Sequence, residues 1–228
     1  MAILVSGGAG YIGSHTCIEL LNAGYDIVVA DNYYNACPVV LDRVKQITGK
    51  DFRFYKADMT RREDVEKIFS ECPDITAVIQ FAAYKAVGES VSKPIEYYYN
   101  NLNCTLVILD VMRRHGCKRI VFSSSATVYG VPDEVPLRED MFCKGCTNPY
   151  GWTKYMSEQI MRDMRKENNL VSPSKFREEI CRFRLVEFGA QPSGTPQVSI
   201  EFHISPQPLF HKNFSLLTQT LDDYLLQG

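Results

Sequence analysis

The sequence predicts an α/β fold built on a doubly wound parallel sheet, and three observations carry that prediction. Short β-rich runs alternate with longer helical patterns from residue 2 to about residue 167, the arrangement of parallel strands joined by crossover helices. The runs are continuous in Ile and Val rather than alternating with polar residues, so both faces of the sheet are covered. A glycine-rich turn separates the first run from the first helical pattern.

Taken in order, the strands are expected at Ala2–Ser6, Asp26–Ala30, Phe52–Lys56, Ala77–Phe81 and Arg119–Ser123. Helices are expected between them at about Ile12–Ala23, Val39–Ile47, Arg62–Ser70 and Pro94–Arg114. A further helix fits Pro149–Glu167, because Asn148 is a good N-cap and proline suits the first helical position. From about Val171 the character changes. Five of the eleven prolines fall beyond that point, whereas twelve of the thirteen tyrosines precede it. Glu179–Phe188 reads as one more strand, and the rest of the tail shows no sustained period. The expected organisation is therefore one domain over 1–170 and a weakly specified tail over 171–228.

With 228 residues, 45% of them apolar, the length suits one large domain or one domain plus a fragment. Lys+Arg number 25 against 27 Asp+Glu, and no basic run stands out, which argues against a nucleic acid or a membrane as partner. No apolar stretch approaches the roughly 20 residues of a membrane helix. Met1 is followed directly by Ala2-Ile3-Leu4-Val5-Ser6, so no secretory signal is read there and a cytoplasmic location is expected. The eight cysteines are scattered along the chain and are expected to be reduced thiols. Cys143 and Cys146 have metal-site spacing but no companion pair, so no metal is expected.

Gly7-Gly8-Ala9-Gly10-Tyr11-Ile12-Gly13 follows the first strand and opens the first helix. A backbone that turns tightly and brings N–H groups against a pyrophosphate excludes Cβ atoms, and the helix N-terminus adds positive potential. Asp31 ends the second strand 18 residues after Gly13, where a carboxylate accepts from a ribose diol. Strand, turn, helix and acid together point to a Rossmann-type dinucleotide site. Asp31 would repel the 2′-phosphate of NADP, and Asn32 and Tyr33 offer no guanidinium, so NAD is the expected cofactor. Asp58 and Met59 follow the third strand at the same edge and suit the adenine end.

Tyr150 and Lys154 stand four residues apart in a helical pattern, which puts both on one face. A tyrosine with an ordinary pKa of about 10 is mostly protonated at neutral pH, and the Lys154 ammonium together with a cationic nicotinamide is expected to favour the phenolate and make Tyr150 a usable proton acceptor. Ser123-Ser124-Ser125 follow the fifth strand, where a hydroxyl can donate to the oxygen whose proton the tyrosine removes.

These residues, with Phe81-Ala82-Ala83-Tyr84-Lys85, Ala86-Val87-Gly88-Glu89-Ser90 and Ser123 through Gly130, resemble the extended short-chain dehydrogenase/reductases, and within them the branch of UDP-glucose 4-epimerases. The resemblance covers about Met1 to Leu170. It implies that Asn32, Asn35, Met59, Phe81, Ala82, Ala83, Lys85, Asn100 and Ser123 join Gly7, Gly10, Tyr11, Ile12, Gly13, Asp31 and Asp58 around NAD, together with Tyr150 and Lys154. It implies that Ser125 and Tyr150 touch a UDP-sugar, whose C4 is inverted through a transient 4-keto sugar in galactose metabolism. Lys154 would bind the nicotinamide ribose, and NAD would stay tightly bound. Family dimers pair through the helices at about Pro94–Arg114 and Pro149–Glu167, so a homodimer is implied as well. Ala126-Thr127 stand where related dehydratases carry an acid pair, which disfavours loss of water.

Beyond Leu170 the sequence departs from the family. Arg184-Leu185-Val186-Glu187 stand where a Tyr-Phe-Asn-Pro strand end is usual, Gly189-Ala190-Gln191-Pro192-Ser193-Gly194 matches briefly, and the remainder has no counterpart. The substrate domain is thus expected to be truncated or replaced. Two other readings remain open on sequence: an NAD-binding module without turnover, and a dehydrogenase or reductase acting on another carbonyl compound.

Overall fold

All five residues of the first strand, β1 (Ala2–Ser6), are buried, as expected for a strand with apolar layers on both sides. In the computed structural model, which describes residues 1–134, 136–137, 141, 145–167, 182–186 and 199–203, it lies at the centre of a five-stranded sheet. The other strands are β2 (Asp26–Asp31), β3 (Arg53–Lys56), β4 (Ile75–Gln80) and β5 (Arg119–Phe122). All neighbouring pairs are parallel and the order is β3-β2-β1-β4-β5. The chain winds outward from β1 to one edge, then crosses back to β4 on the other side. Between β1 and β4 the winding reverses, and such a reversal opens a crevice at the carboxyl ends of the strands.

Helices α1 (Tyr11–Asn22), α2 (Val39–Thr48) and α3 (Arg62–Glu71) fill the early crossovers. A short helix α4 (Val87–Ser92) and the long α5 (Pro94–Arg114) follow β4. One face of the sheet presents Leu4, Val28, Ala30 and Val78 to Val65, Ile68 and Phe69 of α3 and to Cys104, Ile108, Val111 and Met112 of α5. The pleat sends Ile3, Val5, Ile27 and Val29 the other way, where they too are buried, on the side that receives α1. Each fully buried Ile, Leu or Phe in these layers contributes roughly 1.5–3 kcal/mol. The fold is therefore the Rossmann-type, doubly wound α/β arrangement that the Ile/Val-rich runs implied.

The described residues fall into two compact units: 1–85 with 95–122, and 86–94 with the described residues from 123 onward. The sheet and its helices, apart from α4, form the first. The second contains α4, a 3₁₀ turn at Ala126–Tyr129, α6 (Pro149–Glu167) and an antiparallel hairpin of β6 (Arg182–Val186) with β7 (Ser199–His203). Asn148 caps α6 as expected, its Oδ1 accepting from the Gly151 N–H at 2.8 Å.

Within residues 1–167 strand and helix limits differ from expectation by a residue or two, most at β4, which starts at Ile75 rather than Ala77, and within the strand expected at Glu179–Phe188 the described part is β6, Arg182–Val186. Three elements were not foreseen. At six residues, α4 is too short to show a 3.6-residue period, and no side chain caps it. The 3₁₀ turn follows a serine cap. Strand β7 lies in the stretch read as having no sustained period: Ile200 and Phe202 alternate with polar residues, but over only five positions. Cys143 and the 187–194 stretch lie outside the described residues. The described cysteines Cys17, Cys37, Cys72, Cys104, Cys117 and Cys146 are free thiols, and no metal-binding group of side chains occurs among the described residues.

Candidate active site

The first unit holds a cavity of about 370 Å³ at the carboxyl edge of its sheet. Four loops build it, one after each of the strands β1 to β4. After β1 come Gly7, Gly10, Tyr11, Ile12 and Gly13; at the end of β2, Asp31, and after it Asn32, Tyr34, Asn35 and Ala36; after β3, Ala57, Asp58, Met59 and Thr60; after β4, Phe81, Ala82, Ala83, Tyr84 and Lys85. Asn100 and Cys104 of α5 complete it. Gly7, Gly10, Tyr11, Ile12, Gly13, Asp31, Asn32, Asn35, Asp58, Met59, Phe81, Ala82, Ala83, Lys85 and Asn100, the residues of this unit expected around the cofactor, all line the cavity.

The glycines divide into two kinds. Gly7 has φ of +77°, and a Cβ there would come within 2.6 Å of the Ala82 nitrogen; one at Gly13 would overlap the Gly7 carbonyl oxygen and press on Gly8. These two let the turn fold against β4 and the helix close on the turn. At Gly10 an added Cβ would meet only the Gly7 oxygen, at 3.3 Å, so it would fill the cradle rather than strike protein. No side chain caps α1, and the amides of its first turn are left for a ligand. These are the features a dinucleotide pyrophosphate requires, and the residues present fit NAD.

Asp31 fixes the turn it faces. Its Oδ2 accepts from the Ala9 N–H at 3.0 Å and its Oδ1 from the Tyr33 N–H at 2.8 Å, leaving further lone pairs on both oxygens for ribose hydroxyls. Tyr33 has φ of +61°, the only described non-glycine residue in that region, and the bond to Asp31 holds it there. Asp58 is fixed similarly, its Oδ1 accepting from the Thr60 N–H and hydroxyl at 2.9 and 2.7 Å. Lys85 is the one cationic side chain among the lining residues.

The second unit assembles a different set of groups along one stripe of α6. Tyr150, Lys154 and Glu158, each four residues apart, meet the serine triplet. The Lys154 Nζ donates to the Ser123 carbonyl at 2.8 Å and lies 5.9 Å from the Tyr150 ring centre. Glu158, fully buried, accepts from the Ser124 hydroxyl at 2.5 Å. The Ser125 oxygen accepts from the Thr127 N–H and hydroxyl at 3.2 and 2.9 Å, so its single proton is free to point at Tyr150.

Two effects from the chain's own residues act on the Tyr150 phenol. Burial pushes its pKa above the ordinary tyrosine value, and the hydrogen bond from Ser125 offsets that only in part. Lys154 is turned to a backbone carbonyl instead of the phenol oxygen.

Sequence reasoning missed Tyr34, Ala36, Ala57, Thr60, Tyr84 and Cys104 in the cavity, and Thr127 and Glu158 behind the triplet. Tyr34 and Tyr84 sit inside runs already singled out, so adjacency was their signal. Glu158 is legible as one more step in the spacing of Tyr150 and Lys154.

Residues 3–174 match the model of the NAD dependent epimerase/dehydratase family. The chain is 56% identical over 194 residues to UDP-glucose 4-epimerase of Bacillus subtilis, covering 85% of this chain and 55% of that protein. It is 54% identical over 194 residues to UDP-glucose 4-epimerase of Haemophilus influenzae, with the same shares covered. Among solved structures, UDP-glucose 4-epimerase from Bifidobacterium longum in complex with NAD+ and UDP superposes with a TM-score of 0.72 at 54% identity. That likeness covers 74% of this chain and 50% of the other. The chain spans about half the length of the curated relatives it matches.

Proposed function

The chain belongs to the NAD dependent epimerase/dehydratase family, and from that premise we propose that it takes part in C4 epimerisation of UDP-glucose and UDP-galactose with bound NAD. The observation that carries the reading is the stripe of Tyr150 and Lys154 on α6 against Ser123 and Ser125, in a chain whose glycine turn also fits a dinucleotide.

When bound, NAD supplies a reversible hydride acceptor. This chain's residues handle the rest. Tyr150 takes the proton of the 4-hydroxyl and returns it after the 4-keto sugar has presented its other face. Ser125, held by Thr127, donates to the same sugar oxygen. Lys154, held by Ser123, keeps a positive charge near the Tyr150 ring. Because burial alone favours the neutral phenol, added positive charge at the site is what would make Tyr150 a base at neutral pH. Ala126-Thr127 at the 3₁₀ turn supply no carboxyl group to protonate a leaving hydroxyl, which favours epimerisation over dehydration.

The test is incubation of the purified chain and NAD with UDP-galactose, following UDP-glucose and NADH together. Isomer formation without net NADH is the expected result. NADH accumulation would replace the reading by a dehydrogenase, and tight NAD binding without product would replace it by a binding module.

A further inference from the structure

Two tyrosine rings from different loops meet at the cavity of the first unit. Tyr34 follows β2 and Tyr84 follows β4; both line the cavity, and their ring centres are 4.8 Å apart at an interplanar angle of 33°. Strands β2 and β4 lie on opposite sides of β1, two strand spacings or about 10 Å apart. For their loops to touch through these rings, the pair must arch across the carboxyl end of β1, where the glycine turn begins.

The two legs of the arch are unequal. Tyr84 is pinned: its N–H donates to the Asn101 Oδ1 at 2.8 Å, its carbonyl accepts from the Asn101 Nδ2 at 3.0 Å, and its ring stands edge-on to the buried Tyr97 at 5.5 Å. Tyr34 is 62% exposed, and its local restraint is a bond from its N–H to the Asn32 Oδ1 at 2.9 Å. A large apolar ring left in water gains by stacking on a fixed one, and opening the pair requires moving only the Tyr34 loop.

We propose that Tyr34 and Tyr84 form a clasp over the phosphate cradle that slows release of a bound dinucleotide, Tyr84 being the fixed post and Tyr34 the leaf that opens. The inference rests on the proposed NAD site and goes beyond it, because it assigns retention to a ring pair instead of to the cradle. It is a matter of rings and not of hydroxyls, so a phenylalanine at either position keeps the clasp.

The experiment loads the 228-residue chain with NADH, chases with excess NAD and follows the loss of bound-NADH fluorescence. Tyr34→Ser, at an exposed position, should release NADH about threefold to tenfold faster than the parent. Tyr34→Phe should match the parent. Tyr34→Ser with Tyr84→Leu should be no faster than the quicker single variant, since either change already opens the pair. Unchanged release from Tyr34→Ser, with NADH well retained by the parent, overturns the clasp and leaves the cofactor site standing. Release from Tyr34→Phe as fast as from Tyr34→Ser overturns it also. If the parent retains no NADH, the cofactor site fails and the clasp with it.

Discussion

The two units make their functional surfaces in opposite ways. In the first, the surface is backbone: Gly7, Gly10 and Gly13 shape a turn, α1 offers its uncapped amides, and Asp31 acts as much on the Ala9 N–H as toward the cavity. In the second, the surface is side chains, ranged along one helix stripe and each tied to one member of a serine triplet. A backbone surface is broken by adding atoms, and a side-chain surface by removing one. Substitutions should therefore separate binding from chemistry.

The largest effect is expected from Gly13→Ala. An alanine within a helix ordinarily gains about 0.5–1 kcal/mol over glycine, but here its Cβ overlaps the Gly7 carbonyl. Overpacking of that kind costs about 1–3 kcal/mol, and the cradle distorts with it. We expect a lower melting temperature and loss of NAD binding by fluorescence titration; a stabilised variant that still binds would contradict the reading of the turn.

Tyr150→Phe should do the reverse. It deletes one oxygen of the side-chain site, so sugar conversion should fall by about 10²–10⁴-fold, the usual worth of a positioned acid or base, while NAD binding and melting temperature stay unchanged. Conversion at the parental rate would remove Tyr150 from the mechanism.

Ser124→Ala sharpens the contrast within the second unit. It takes a donor from the buried Glu158 carboxylate and should cost about 1–3 kcal/mol in denaturant unfolding. Pairing it with Glu158→Leu should recover part of that loss, because the carboxylate left short of a donor is then gone. A double variant no better than the single would show that the pair is not what stabilises the triplet.

The smallest effect lies beneath the glycine turn. Burial, with a lesser contribution from the Asp31 carboxylate, pushes the Cys17 thiol up to about 12. The same thiol ionises at about 8.5 when unfolded. The unfolded chain thus sheds this proton first, and stability should fall as pH rises from about 8.5 toward about 12. Cys17→Ala should flatten that alkaline limb in unfolding measured across the pH range; an unaltered limb would place the alkaline loss elsewhere.

The same division governs what the sequence disclosed. The sheet and the cradle were legible because both obey patterns with a length: Ile/Val runs such as Ala2–Ser6, a glycine spacing, and an acid at the end of the second strand. Tyr150 and Lys154 were legible as one helix step. Thr127, Tyr34 and Tyr84 were not, because nothing in their spacing foretells that a threonine two residues on turns the Ser125 hydroxyl, or that loops from two strands bring their rings together. The surroundings of the Tyr150 phenol were only half legible: spacing placed Lys154 on its face, but not that the ammonium donates to the Ser123 carbonyl or that burial favours the neutral phenol.

The claim that the glycine turn holds the dinucleotide while the Tyr150 hydroxyl serves the chemistry is tested most directly by the nicotinamide dinucleotide that acid releases from the NAD-loaded chain and two variants after gel filtration. Near-stoichiometric NAD from the parent and from Tyr150→Phe, with almost none from Gly13→Ala, is the predicted result. NAD retained by Gly13→Ala as by the parent, or lost with the Tyr150 hydroxyl, would contradict it.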